Sequence, residues 1–168
     1  MSALVLIHAF PLSGEMWAHE RRALRDAADP IVAPSLPGFG GTDVPRIEPS
    51  IDDYADSVVA AMDEAKIERA AVAGMSMGGY VAFAIWRRHR GRVERLLLAD
   101  TRAEADTDDA RDRRVRLAGV IRERGIEALL KTPPQWLRKG SPHWAALLTA
   151  IRRQPPEAIA QASLAMAH

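Results

Sequence analysis

The 168-residue chain has no cysteine. That absence excludes disulfides, thiol catalysis and thiolate metal sites together. Charge of one sign is also missing: 23 Lys and Arg stand against 22 Asp and Glu, a formal net charge of +1. The two signs are interleaved, without the basic block that marks a nucleic-acid footprint. There is no long hydrophobic run. The opening MSALVLIHAF has no basic leader, and its apolar stretch is far too short for a signal peptide or a membrane span. The expectation is a cytoplasmic protein with no nucleic-acid and no membrane partner. Internal repeats and low-complexity segments are absent as well.

What is present has an ordinary globular balance, 48% apolar and 27% charged residues, in a chain long enough to bury a core as one domain. Four short apolar runs stand out: ALVLIHA (3–9), PIVAPSL (30–36), RAAVAGM (69–75) and RLLLAD (95–100). Each is nearly continuous rather than alternating, which predicts strands buried on both faces. Amphipathic stretches at 15–28, 50–65 and 78–90 separate them, the second opened by Ser50 as N-cap with Asp52 and Asp53 in its first turn. Strands alternating with helices predict a mainly parallel α/β sheet of about four strands.

The character changes after Asp100. Residues 106–130 read as a charged helix with Val115, Leu117, Val120 and Ile121 on one side, broken by Pro133 and Pro134. Two further helical stretches follow, near 142–152 and 156–167. The DTDDARDRR run reads as a solvated helix face, and Trp136 and Trp144 as packing residues of this helical part.

Gly74-Met75-Ser76-Met77-Gly78 fits G-x-S-x-G. By composition such a match arises by chance in about one chain of this length in twenty, so context has to carry it. Here AAVA precedes it as a strand and GGYVAFAIW follows as a helix, as a nucleophile elbow requires. A serine on a sharp strand-to-helix turn crowds the backbones on either side, and glycine at 74 and 78 relieves the clash. The turn sets Ser76 at a helix N-terminus, where the Met77 N–H can stabilise a developing oxyanion. The plainer reading is a glycine-rich turn that serves only close helix–strand packing.

LIHAFPLSGEMW (6–17) follows the first strand, where Phe10 offers a second backbone N–H and Pro11 biases Phe10 toward an extended conformation. His8, at the strand end, is placed to hold this loop by hydrogen bonds rather than to act as a base. In APSLPGFGGTD (33–43), Gly38, Gly40 and Gly41 read as a structural turn, because no G-x-x-x-x-G-K-[ST] is present and no G-x-G-x-x-G follows the first strand.

Through VLIHAFPLSGEMW, SLPGFGGTD, GMSMGGY and LLLADTRAEADT the chain resembles the N-terminal part of an α/β-hydrolase over residues 4–105. The likeness is to the cofactor-free group that includes 3-oxoadipate enol-lactonase-like esterases and perhydrolases. It implies a partial α/β-hydrolase core at 1–105 and a helical cap region at 106–168. It also implies Ser76 as nucleophile, Phe10 and Met77 as backbone oxyanion donors, and no cofactor or metal. The chain departs from the pattern at Ala9, where glycine is usual, and at Ser35, where aspartate is common.

The family order runs serine, acid, histidine, with the last two on strands after the cap. No such strand run follows residue 100, and no histidine of the sequence stands where the base is expected. Asp100, at the end of the fourth run, is either the acid, as in some branches, or a strand-end residue that caps the next turn or pairs with Arg102. Arg102 itself reads as a salt-bridge partner of Glu104 or Asp106, or as a contact for a substrate carboxylate. A four-stranded sheet ending at 95–100 also leaves an edge unpaired. The expectation is a hydrolase of small esters or lactones, truncated or completed by a C-terminal segment or a second copy. The alternatives are a perhydrolase using the same residues and a non-catalytic binding module on the same fold.

Overall fold

The computed structural model describes residues 2–130, 137–138 and 140–168. Pro133, Pro134 and Trp136 lie outside the described residues. Four parallel strands, β1 (Ala3–Ile7), β2 (Ile31–Val32), β3 (Ala70–Met75) and β4 (Val93–Ala99), form one sheet in the order β2-β1-β3-β4. Ile7 pairs with Gly74, and Met75 with Ala99. The register therefore brings the carboxyl ends of β1, β3 and β4 to one edge, where open α/β sheets hold their ligands.

Helices α1 (Ala18–Ala23), α2 (Ile51–Glu64) and α3 (Met77–Arg88) connect the strands, and α4 (Asp108–Arg124), α5 (Glu127–Leu130), α6 (Trp144–Arg152) and α7 (Pro156–Ala165) follow them. Tyr54, Val58 and Met62 recur every four residues along α2, so they fall on one face. That face is fully buried with Val5, Ile7 and Val72 of the sheet and Val81 and Ile85 of α3. Each large apolar side chain in this layer contributes roughly 1.5–3 kcal/mol.

The α2 N-terminus carries the cap its sequence announces. The Ser50 hydroxyl accepts from the Asp53 N–H at 3.1 Å, and the Asp53 carboxylate accepts from the Ser50 N–H at 2.7 Å. The exposed side of α2 is tied to the end of α3 by ion pairs of Asp52 with Arg87 and Arg88 and of Asp56 with Arg88, and by a hydrogen bond between Asp56 and His89.

The helical part shares its core with the sheet. Ala118 and Ile121 of α4 are buried with Ala158, Ile159 and Ala162 of α7 in the same cluster. Side chains of α7 and the residues before it also fasten the 36–45 loop. Gln154 Oε1 accepts from the Gly40 N–H at 2.9 Å, and Gln161 Nε2 donates to the Pro45 carbonyl at 3.0 Å.

Four expectations change. The second run forms only two residues of strand, because Pro30 and Pro34 bracket it and have no N–H to donate to a ladder. The amphipathic stretch at 15–28 gives a 3-10 turn at Gly14–Trp17 and the short α1. The long charged helix stops at Arg124, where Gly125 takes φ +72°, and Val115 is exposed while Ala118 is buried in its place. Lastly, β4 is not buried on both faces: Leu97 is 61% and Leu98 38% exposed. Among the described residues no strand pairs with its outer edge.

Candidate active site

Ser76 lies between the last residue of β3 and the first of α3, with φ 52° and ψ −115°. Left-handed backbone costs a serine about 1–3 kcal/mol, so the surroundings must hold it there. Three hydrogen bonds do. The Ser76 N–H donates to the Ala99 carbonyl at 2.9 Å, and the Ser76 carbonyl accepts from both the Gly79 N–H and the Thr101 hydroxyl, each at 2.9 Å.

The glycines answer to sterics. A Cβ on Gly74 would stand 2.1 Å from the Gly78 carbonyl oxygen, and one on Gly78 would stand 2.3 Å from that of Ile7. No side chain fits either place, so β3, the start of α3 and the end of β1 come together only with glycine at both positions. Gly79 has a different neighbour: its Cβ would meet the Thr101 side chain at 2.4 Å.

Met77 opens α3 and is fully buried, and its N–H has no acceptor within the helix. Phe10 follows the end of β1, and the Phe10–Pro11 peptide is cis. The loop carrying Phe10 is anchored by His8. Leu36 N–H donates to His8 Nε2 at 3.0 Å, and His8 Nδ1 lies 3.1 Å from the Ala9 carbonyl. This pair of partners makes Nδ1 the protonated nitrogen and the ring neutral. Burial pushes the imidazole down to about 4, because no water is left to solvate a cation. His8 is thus a strut between the first and second strand loops. Ala9 is accommodated with its N–H donating to Met16 Sδ at 3.2 Å, and the Ser35 hydroxyl accepts from the Gly14 N–H at 3.1 Å.

Asp100 is exposed with φ 48°, a conformation aspartate tolerates better than most residues. It does not pair with Arg102. Arg102 instead joins Arg114 in clasping Asp106, whose side chain is nearly buried, and Arg114 beside it holds the Asp106 carboxyl below the usual range. Of the histidines, His89 pairs with Asp56 at 2.7 Å, and His19, His143 and His168 are exposed. None makes a hydrogen bond with Ser76 among the described residues.

A cleft of about 780 Å³ opens beside Tyr80, Phe83 and Arg87 of α3 and Met166, but Ser76 is not among its lining residues. Among the described residues no group of three or more His, Asp or Glu is placed to hold a metal ion, and no helix is long and apolar enough to cross a membrane.

The arrangement therefore unites Ser76, Gly74, Gly78 and Met77 with the end of β1 and the 99–101 turn. Thr101 is absent from the sequence reading. Its one signal there is a third glycine, at 79, beyond the two that the turn needs.

Known proteins share this architecture. The esterase of Thermogutta terrifontis superposes with a TM-score of 0.90 at 31% identity, over all of this chain and 64% of that one. The enol-lactonase of Burkholderia xenovorans superposes with a TM-score of 0.85 at 27% identity, over 98% of this chain and 64% of that one. In sequence, the AB hydrolase superfamily protein YisY of Bacillus subtilis is 31% identical over 105 residues, which are 62% of this chain and 39% of that protein. The chain thus spans less than two thirds of each of these relatives. The sequence profile of the Alpha/beta hydrolase family matches residues 4–167, and the chain belongs to that family.

Proposed function

We propose that Ser76 is the nucleophile of a hydrolase acting on small carboxylic esters or lactones. The observation that carries this reading is the strained turn, φ 52° at a half-buried serine between β3 and α3, because a turn needed only for packing has no use for a strained serine. The Ser76 hydroxyl adds to the substrate carbonyl and passes its proton to a histidine. The carbonyl oxygen takes the negative charge beside the N–H groups of Phe10 and Met77. Collapse expels the alkoxide, which takes the proton from the histidine, and water then hydrolyses the acyl-serine by the same route. A perhydrolase would run the second step with peroxide in place of water.

In this reading residues 1–105 are the hydrolase core and 106–168 the cap. The histidine comes from a further segment or a second chain, as does the acid unless Asp100 supplies it. The lengths of the relatives support this, as each extends well beyond the matched region. The substrate class rests on the esterase and enol-lactonase among the similar structures. Intact-mass spectrometry after incubation with a fluorophosphonate tests it. With its completing segment present, we expect one adduct on Ser76, lost in Ser76→Ala with the circular dichroism spectrum unchanged.

One observation favours a second reading, a non-catalytic binding module: no histidine reaches Ser76 among the described residues. Absence of any adduct on a folded wild-type chain, alone and with its completing segment, selects it.

A further inference from the structure

We propose that Thr101 is a positioning residue for the oxyanion donor at Met77. The proposal rests on the reading of Ser76 as nucleophile and Met77 as donor, and adds a residue that acts on them from the chain after β4.

The Ser76 carbonyl and the Met77 N–H belong to one peptide unit. That unit is trans, the cis bonds among the described residues being Phe10–Pro11 and Asp29–Pro30. In a trans unit C=O and N–H point in opposite directions within one plane, so whatever fixes the oxygen also aims the N–H. Two donors fix this oxygen. The Gly79 N–H comes from inside α3 and moves with it. The Thr101 hydroxyl, at 2.9 Å, comes from the chain after β4 and ties the unit to the sheet. Without Thr101 the peptide can tilt with the first turn of the helix, and an oxyanion donor loses its effect when its direction drifts.

The surroundings are built for this contact. Asp100 takes φ 48° where the chain leaves β4, just before Thr101. The Ser76 N–H to Ala99 carbonyl bond, 2.9 Å, locks the same two strand ends from the other side. Gly79 leaves room for the threonine: a Cβ there would stand 2.4, 2.5 and 2.6 Å from Thr101 Oγ1, Cγ2 and Cβ. Helical backbone would otherwise favour alanine over glycine at this position. The third glycine of the motif is therefore the complement of Thr101, as Gly74 and Gly78 are the complements of backbone. A donor hydroxyl on the carbonyl also draws electron density from the unit and makes its N–H a better donor.

The experiment compares rates of fluorophosphonate labelling at Ser76, by intact mass, in wild type, Thr101→Val and Thr101→Ser. Valine keeps the shape and removes the hydroxyl, and the Ser76 carbonyl keeps its Gly79 donor. Serine keeps the hydroxyl. We expect labelling about tenfold slower or more in T101V and within about twofold of wild type in T101S. The 15N–1H resonance of Met77 should move in the valine variant and not in the serine one, a readout that lost stability alone would not produce. If T101V does not fold, Gly79→Ala decides, since its methyl displaces an unaltered Thr101 and must slow labelling to a similar degree. Wild-type labelling with T101V equally fast, or with T101S as slow as T101V, overturns the positioning role and leaves the nucleophile standing. A wild-type chain that takes no label at Ser76, alone and with its completing segment, removes the nucleophile reading, and the role of Thr101 falls with it.

Discussion

At the scale of single residues, His8 shows how a side chain that looks catalytic can be structural. Its two nitrogens are spent on Leu36 and Ala9, and it stays neutral when folded because burial lowers it from 6.5 to about 4. The consequence has a definite sign. Below pH 6.5 the unfolded chain binds a proton at this histidine that the folded chain refuses until about pH 4. Stability therefore falls as pH drops through that window. Between pH 7 and 5 the loss attributable to His8 is about 2 kcal/mol. The carboxylates held low, such as Asp106 and Glu157, add their losses only nearer pH 4. Urea unfolding at pH 7 and pH 5 checks this, and the pH 7-to-5 difference should shrink in His8→Gln by about that amount. An unchanged difference would mean that His8 already carries its proton in the folded chain.

At the scale of elements, α2 was readable almost in full. Ser50, Asp52 and Asp53 state its start, and the spacing of Tyr54, Val58 and Met62 states its buried face, because both depend on residues within a few positions of each other. Ser50→Ala removes one half of the capping box and should cost about 1 kcal/mol, read from the urea midpoint at constant slope. The second strand was the opposite case. Its apolar run suggested seven residues, yet only Ile31 and Val32 pair with β1. Strand length is set by where donors and partners stop, and the prolines end the donors first. α4 was legible as a helix but not in its packing. Which side of it is buried depends on α7, and the contact selects Ala118 and Ile121 over Val115.

At the scale of the molecule, the two edges of the sheet differ in kind. β2 is two residues long, whereas β4 runs for seven and presents Leu97 and Leu98 with no partner on its outer side among the described residues. A long apolar edge is a template for another strand. We expect light scattering of the chain to rise with concentration and Leu97→Lys to suppress that rise, since an edge lysine resists pairing. Scattering that is equal for both would place any self-association elsewhere. In the proposed function this edge is also where a completing segment would join. Adding such a segment should then protect the β4 amides from hydrogen exchange along with raising the labelling rate at Ser76.

The sequence by itself determined the alternation of strands and helices, the N-cap of α2 and the strand–Ser76–helix turn with its two glycines. All of these arise from sterics and hydrogen bonds between residues close along the chain. Only the tertiary structure decided that His8 is a strut to Leu36, 28 residues away, and that Thr101 sits on the Ser76 carbonyl, 25 residues away. Those depend on sheet register and on which neighbour a strand has, and register is a relation between segments that no local pattern of residues contains.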